Sequence, residues 1–137
     1  RSRHSNDNAL AESKNASVVR KHMGYAHIPQ HFALRINAFY QETFNPWLNF
    51  HRPCMFATEI ISPKGKIIKR YKDEDVKTPL ECLVQLKAKG WVTLKKGITL
   101  EALQALAKSK TDLAAAQEMQ RAKSELFESF VKPKRRA

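Results

Sequence analysis

A mostly helical α+β fold is what this sequence predicts, and three observations predict it. Over most of the 137 residues, apolar side chains recur at steps of three and four, the spacing of one helix face. Strong start signals, such as Thr78-Pro79-Leu80-Glu81, open several of these stretches. One stretch alone, Met55 to Tyr71, changes period: "MFATEII", the turn "SPKG" and "KIIKRY" are two β-rich runs around turn residues, the pattern of a hairpin.

The first helix, residues 6 to 23, begins at Asn6 or Asp7, whose short side chains suit the orphan amides of a first turn. Its stripe is Ala9, Glu12, Ala16, Val19 and Met23, apolar except for a glutamate that the spacing turns inward. Gly24 and Pro29 interrupt the pattern. A second helix, about His31 to Thr43, carries Phe32, Ile36, Phe39 and Tyr40. Asn45-Pro46 is expected to end it and start a short third helix, with Asn45 as cap and Trp47, Leu48 and Phe50 as anchors. "HRPC" (51 to 54) closes that helix. After the hairpin and the polar connection "YKDED", a helix runs from Thr78 to about Ala88 with Leu80, Leu83 and Val84 inward. Another starts at Thr99 with Leu100, Leu103 and Leu106 inward. The last starts at Thr111 or Asp112 and reaches about Val131, with Leu113, Ala116, Met119, Ala122, Leu126 and Phe130 inward. Trp91, in "KGWVTLKKG", is expected to pack between helical segments.

Charge points to a partner. The chain has 25 Lys and Arg against 13 Asp and Glu, a formal net charge of +12. Such an excess repels itself in a compact state and is the electrostatic footprint of a polyanion binder, DNA first. Five cations, Lys64, Lys66, Lys69, Arg70 and Lys72, fall within nine residues of the hairpin. Lys14, Arg20 and Lys21 lie off the apolar stripe of the first helix and are further candidates for phosphate contact. No membrane is expected, since no apolar run approaches the ~20 residues a spanning helix needs. Cys54 and Cys82 form neither a disulfide framework nor a zinc spacing, which suits a reducing cytoplasm. His22, His27, His31 and His51 have no metal-ligand spacing, and Pro29 separates His27 from His31.

Glu12 has two readings. It pairs with an arginine or sits at the rim of the stripe, because burying an unpaired carboxylate costs several kcal/mol. Otherwise a hard divalent cation compensates it. The surrounding residues bear on the choice. "SNDNALAES" (5 to 13) resembles the segment that carries the last acidic residue of integrase-core transposases of bacterial insertion sequences. Asp7, Asn8, Ala9, Glu12 and Ser13 match it, and Glu12 falls on the metal-binding glutamate. "NPWLNFHRPC" (45 to 54) followed by "KTPLE" (77 to 81) resembles the elements that close the same cores, through Asn49, Arg52, Pro53, Thr78, Pro79 and Glu81. Cys54 stands where the commoner pattern has histidine, the hairpin is longer than the usual linker, and the helices beyond Ala88 have no counterpart.

The resemblance implies the last helices of an RNase H-like core over residues 1–54, a basic hairpin and linker over 55–76, and a helical region with a basic tail over 77–137. It implies a parent enzyme, a polynucleotidyl transferase that cuts and joins DNA with two Mg²⁺ or Mn²⁺ ions, and a bacterial cytoplasmic site of action at the nucleoid. Glu12 would hold one ion, and the two aspartates completing the site would precede Arg1. One carboxylate does not fix two metals, so this chain alone is expected to leave supercoiled plasmid intact with Mg²⁺ or Mn²⁺; nicking that Glu12→Gln abolishes would contradict this. The alternative is a non-catalytic basic module that binds nucleic acid or a partner, with Glu12 structural. The long last helix is a candidate for homo-oligomerisation, against simple packing on the two helices before it.

Overall fold

The computed structural model describes residues 12, 13 and 15–131, which are mostly helical with two small antiparallel sheets. The chain divides into two compact units, residues 1–32 and 33–137. The Asn6 or Asp7 cap, the matches at Asp7, Asn8 and Ala9, the candidate Lys14 and the tail 132–137 lie outside the described residues.

In the first unit, Glu12 and Ser13 are helical, Asn15–Arg20 forms a π-helical turn, and a last α-helical turn, α1, covers Lys21–Met23. Gly24, at φ +77°, ends it, and its amide donates to the Arg20 carbonyl at 2.9 Å. A π turn spaces its bonds five residues apart, so it shifts the phase of a stripe counted at 3.6. The expected inward stripe is therefore not formed. Glu12 and Ala16 are exposed, Val19 is 42 % exposed, and Met23 alone of its described members is buried.

The second unit is built on helix α2 (Ala33–Phe39), a π turn (Tyr40–Phe44) and helix α3 (Asn45–Phe50), which form one continuous path. Asn45 is not a cap: its φ and ψ are −65° and −42°, and its amide donates to the Tyr40 carbonyl. A proline inside a helix lacks a donor and crowds the carbonyl four residues back. The widened turn ahead of Pro46 opens the ladder there, and the backbone crosses the proline without leaving the helix. His51 then ends it.

Helices α4 (Pro79–Ala88), α5 (Leu100–Lys108) and α6 (Asp112–Val131) complete the unit. Thr78 starts α4 with both halves of a capping box: its amide donates to Glu81 Oε2 at 2.6 Å, and Glu81 N donates to Thr78 Oγ1 at 3.2 Å. Thr99 and Thr111 accept from the amides of Ala102 and Ala114, each at 3.2 Å, as start signals should. The core gathers Phe39, Phe44, Leu80, Ala115, Met119 and Leu126, with Phe44 wholly buried. Helix α6 packs on α2, on the π turn and on α3, while α4 packs on α3. Position 54 thus lies inside this unit.

Three expected core residues face outward. Leu106 is 56 % exposed, Leu113 69 % and Trp91 72 %, the last lying under the Lys89 ammonium at 5.1 Å from its ring. His51, buried, shares a 2.9 Å hydrogen bond between Nδ1 and Asp112 Oδ1. Asp112 itself stays 74 % exposed, and the buried face of α6 is Ala115, Met119 and Leu126, at +3, +7 and +14 from it. Leu113 lies one residue round the helix from that stripe.

Candidate nucleic-acid interface

The residues from Cys54 to Lys77 form a closed excursion. Strand β1 (Cys54–Met55) pairs antiparallel with β4 (Val76–Lys77), Cys54 opposite Lys77 and Met55 opposite Val76. Phe56 N donates to the Asp75 carbonyl at 3.0 Å just above this pair. The "YKDED" connection ends in a 3₁₀ turn at Asp73–Asp75 that leads into β4. Two-residue strands carry no periodic signal, so this base was not visible in the sequence.

Above the base, β2 (Thr58–Ile61) pairs with β3 (Ile67–Arg70) in the expected hairpin. Its register is Thr58 to Arg70, Glu59 to Lys69, Ile60 to Ile68 and Ile61 to Ile67. The loop matches its sequence. Ser62 N donates to the Lys66 carbonyl and Gly65 N to the Ser62 carbonyl, each at 2.8 Å, and Lys66 N donates to Ser62 Oγ at 3.0 Å. Gly65 at φ +72° takes the left-handed position that follows a turn with proline at its second place. Seven of the eight strand residues are exposed, Thr58 being half-buried, so the ribbon meets solvent on both faces.

This excursion carries the five expected cations on one small structure. Lys64 and Lys66 occupy the loop, Lys69 and Arg70 lie on β3, and Lys72 follows it; all are exposed. Lys69 stands 4.0 Å from Glu59 and Lys72 3.1 Å from Glu74, both in solvent, where such pairs contribute at most about 1 kcal/mol. Among the described residues, Lys64, Lys66 and Arg70 form no ion pair. Arg20 and Lys21 belong to the first unit and are exposed, the Arg20 guanidinium 5.2 Å from the Tyr25 ring centroid.

At the foot of the ribbon, Thr58 Oγ1 donates to Asp75 Oδ2 at 2.7 Å. That bond, helped by Lys77 and Lys72 nearby, holds the Asp75 carboxyl below the usual carboxylate range. The sign follows: a depressed carboxylate pKa adds stability that is present above the unfolded value of about 3.9 and is lost as pH falls through the folded one. We expect Thr58→Val to move the NMR titration midpoint of Asp75 upward. An unmoved midpoint would assign the depression to the lysines.

Sequence reasoning also missed a cleft of about 290 Å³ between α3 and the α5–α6 junction, lined by Trp47, His51, Lys110 and Glu118 among others. A bond from Lys110 depresses the Glu118 carboxyl, and both side chains are largely spent on each other. His51, dismissed above as a ligand, is an anchor for α6.

For a metal, the described residues offer little: none of them form a group of three or more His, Cys, Asp or Glu placed to share an ion. Glu12 presents one exposed carboxylate. None of the described helices is long and apolar enough to cross a membrane. Comparisons with protein-family models, curated proteins and solved structures find no match to this chain.

Proposed function

We propose that this chain is the C-terminal part of an integrase-core transposase and that its own share of the work is to hold DNA on the basic ribbon. The observation that carries the reading is the β1–β4 base. "NPWLNFHRPC" and "KTPLE", the two segments that resemble the closing elements of such cores, lie side by side through the Cys54–Lys77 pair. The residues between them, too long for the usual linker, leave this closed base as a cationic two-stranded ribbon. The unusual insertion thus gathers five of the 25 basic residues on one structure.

Glu12 keeps its proposed role on the motif match alone. Being exposed, it needs no cation to offset burial. In the complete protein it would supply one carboxylate to Mg²⁺ or Mn²⁺, and the ions would clamp the attacking and departing oxygens of a phosphodiester displacement. The ribbon, on β3 and its loop, would grip flanking phosphates without reading sequence.

The test is a salt titration of duplex binding. Each phosphate neutralised steepens the log–log dependence by about 0.9, so Lys66→Ala, Lys69→Ala and Arg70→Ala together should flatten it by about 2.7. An unchanged slope would remove the ribbon from the interface.

A further inference from the structure

Neutralising phosphates accounts for the cations of the ribbon and leaves its isoleucines unexplained. Ile61 and Ile67 face each other at the outer end of the ladder and are 75 % and 65 % exposed. Ile60 and Ile68, the next pair, turn to the other face and are also exposed. A hairpin wet on both faces gains little folding energy from such residues, and an apolar, unpaired edge invites association. Their placement is ordered: the most exposed pair flanks the Pro63–Gly65 loop, with Lys64 and Lys66 beside it and Lys69 and Arg70 behind.

That order selects the occupant. Over residues 58–70 four cations stand against one carboxylate, Glu59, so a second copy would bring a net positive face against a net positive face. DNA meets them with phosphates. Aliphatic carbon gains nothing from a phosphate, so on DNA it must reach the bases, at thymine methyl groups or at a parted base step. With strands about 4.8 Å apart, a two-stranded ribbon is slender enough to enter a groove.

Resting on the DNA-holding role above, we infer that the tip of the ribbon enters a groove of duplex DNA. There Ile61 and Ile67, with Pro63 at the turn, wedge against the base pairs and kink the duplex. Lys64 and Lys66 hold the phosphates on either side of the wedge. The ligand is double-stranded DNA, and easily unstacked pyrimidine–purine steps are its favoured sites.

The experiment uses the 137-residue chain and a duplex of about 30 base pairs with a fluorophore at each end. Binding of the unaltered chain should shorten the end-to-end distance. The double variant Ile61→Thr, Ile67→Thr keeps β-branched residues at exposed sites and every cation. It should melt as the parent does, retain the salt slope, bind about tenfold more weakly and leave the duplex straight. Bending by the variant equal to the parent's overturns the wedge, as does parent binding without bending; in both, an intact salt slope leaves the DNA-holding role standing. Absence of salt-dependent binding in the parent removes both. Sedimentation showing a parent dimer that the variant breaks gives the isoleucines to a second copy and overturns the proposal.

Discussion

Replacing Phe44 by alanine will lower the stability of the second unit by about 3–5 kcal/mol, the cost of deleting a large aromatic from a site that cannot collapse. Phe44 is wholly buried, and three rings hold it: Tyr40 at 5.0 Å between centroids, Trp47 at 5.6 Å and Phe39 at 5.9 Å. Its place in the π turn makes the site rigid, because the turn is tied to Pro46 and to the Asn45–Tyr40 bond. Helix α6 rests on the same turn, so the cavity would open between elements rather than at an edge. A unit of this size has roughly 5–15 kcal/mol in all. The variant should melt roughly 15 °C or more below the parent by circular dichroism. Leu113→Ala, made as the control, removes three aliphatic carbons from α6 at a side chain 69 % exposed. It should change stability by no more than about 0.5 kcal/mol. Equal losses in the two variants would mean that α6 is rotated from the face assigned here.

The contrast between Phe44 and Leu113 also marks what the amino-acid order could reveal. The start of α4 was legible because the capping box is a contact between residues three apart, complete within "TPLE". The ribbon was legible because "SPKG" dictates its turn and β-branched residues flank it. The rotation of α6 was not. The expected and observed stripes share Met119 and Leu126 and differ in the first turns, where the helix packs on residues more than 60 positions earlier in the chain. The π turns were not legible either, since a periodicity count assumes 3.6 residues per turn and they depart from it. That assumption is what turned Glu12 inward on paper. For the candidate interface, the cations and the hairpin that groups them could be read in the sequence, but the base that closes the excursion depends on β1 meeting β4 across 20 intervening residues. No local pattern encodes that pairing.

Excising the ribbon should separate folding from DNA binding. The base brings Phe56 and Asp75 together through a 3.0 Å backbone bond, so a two-residue Asn-Gly turn can join them in place of residues 57–74. Helices α2 to α6 make their main contacts among themselves and with the π turn, and the β2–β3 ladder contacts chiefly itself. The shortened chain should therefore keep its helical circular dichroism and its melting temperature to within a few degrees. It also loses Lys64, Lys66, Lys69, Arg70 and Lys72. If each of the five neutralises one phosphate, the intact chain's affinity for duplex DNA falls about 500-fold between 50 and 200 mM salt. The shortened chain should lose most of that dependence, falling less than about tenfold over the same range. A scattered surface of cations would behave differently, because removing 5 of 25 basic residues would then trim the slope by about a fifth. The two outcomes differ by more than an order of magnitude in affinity, so one titration distinguishes a DNA-holding ribbon from a merely basic protein.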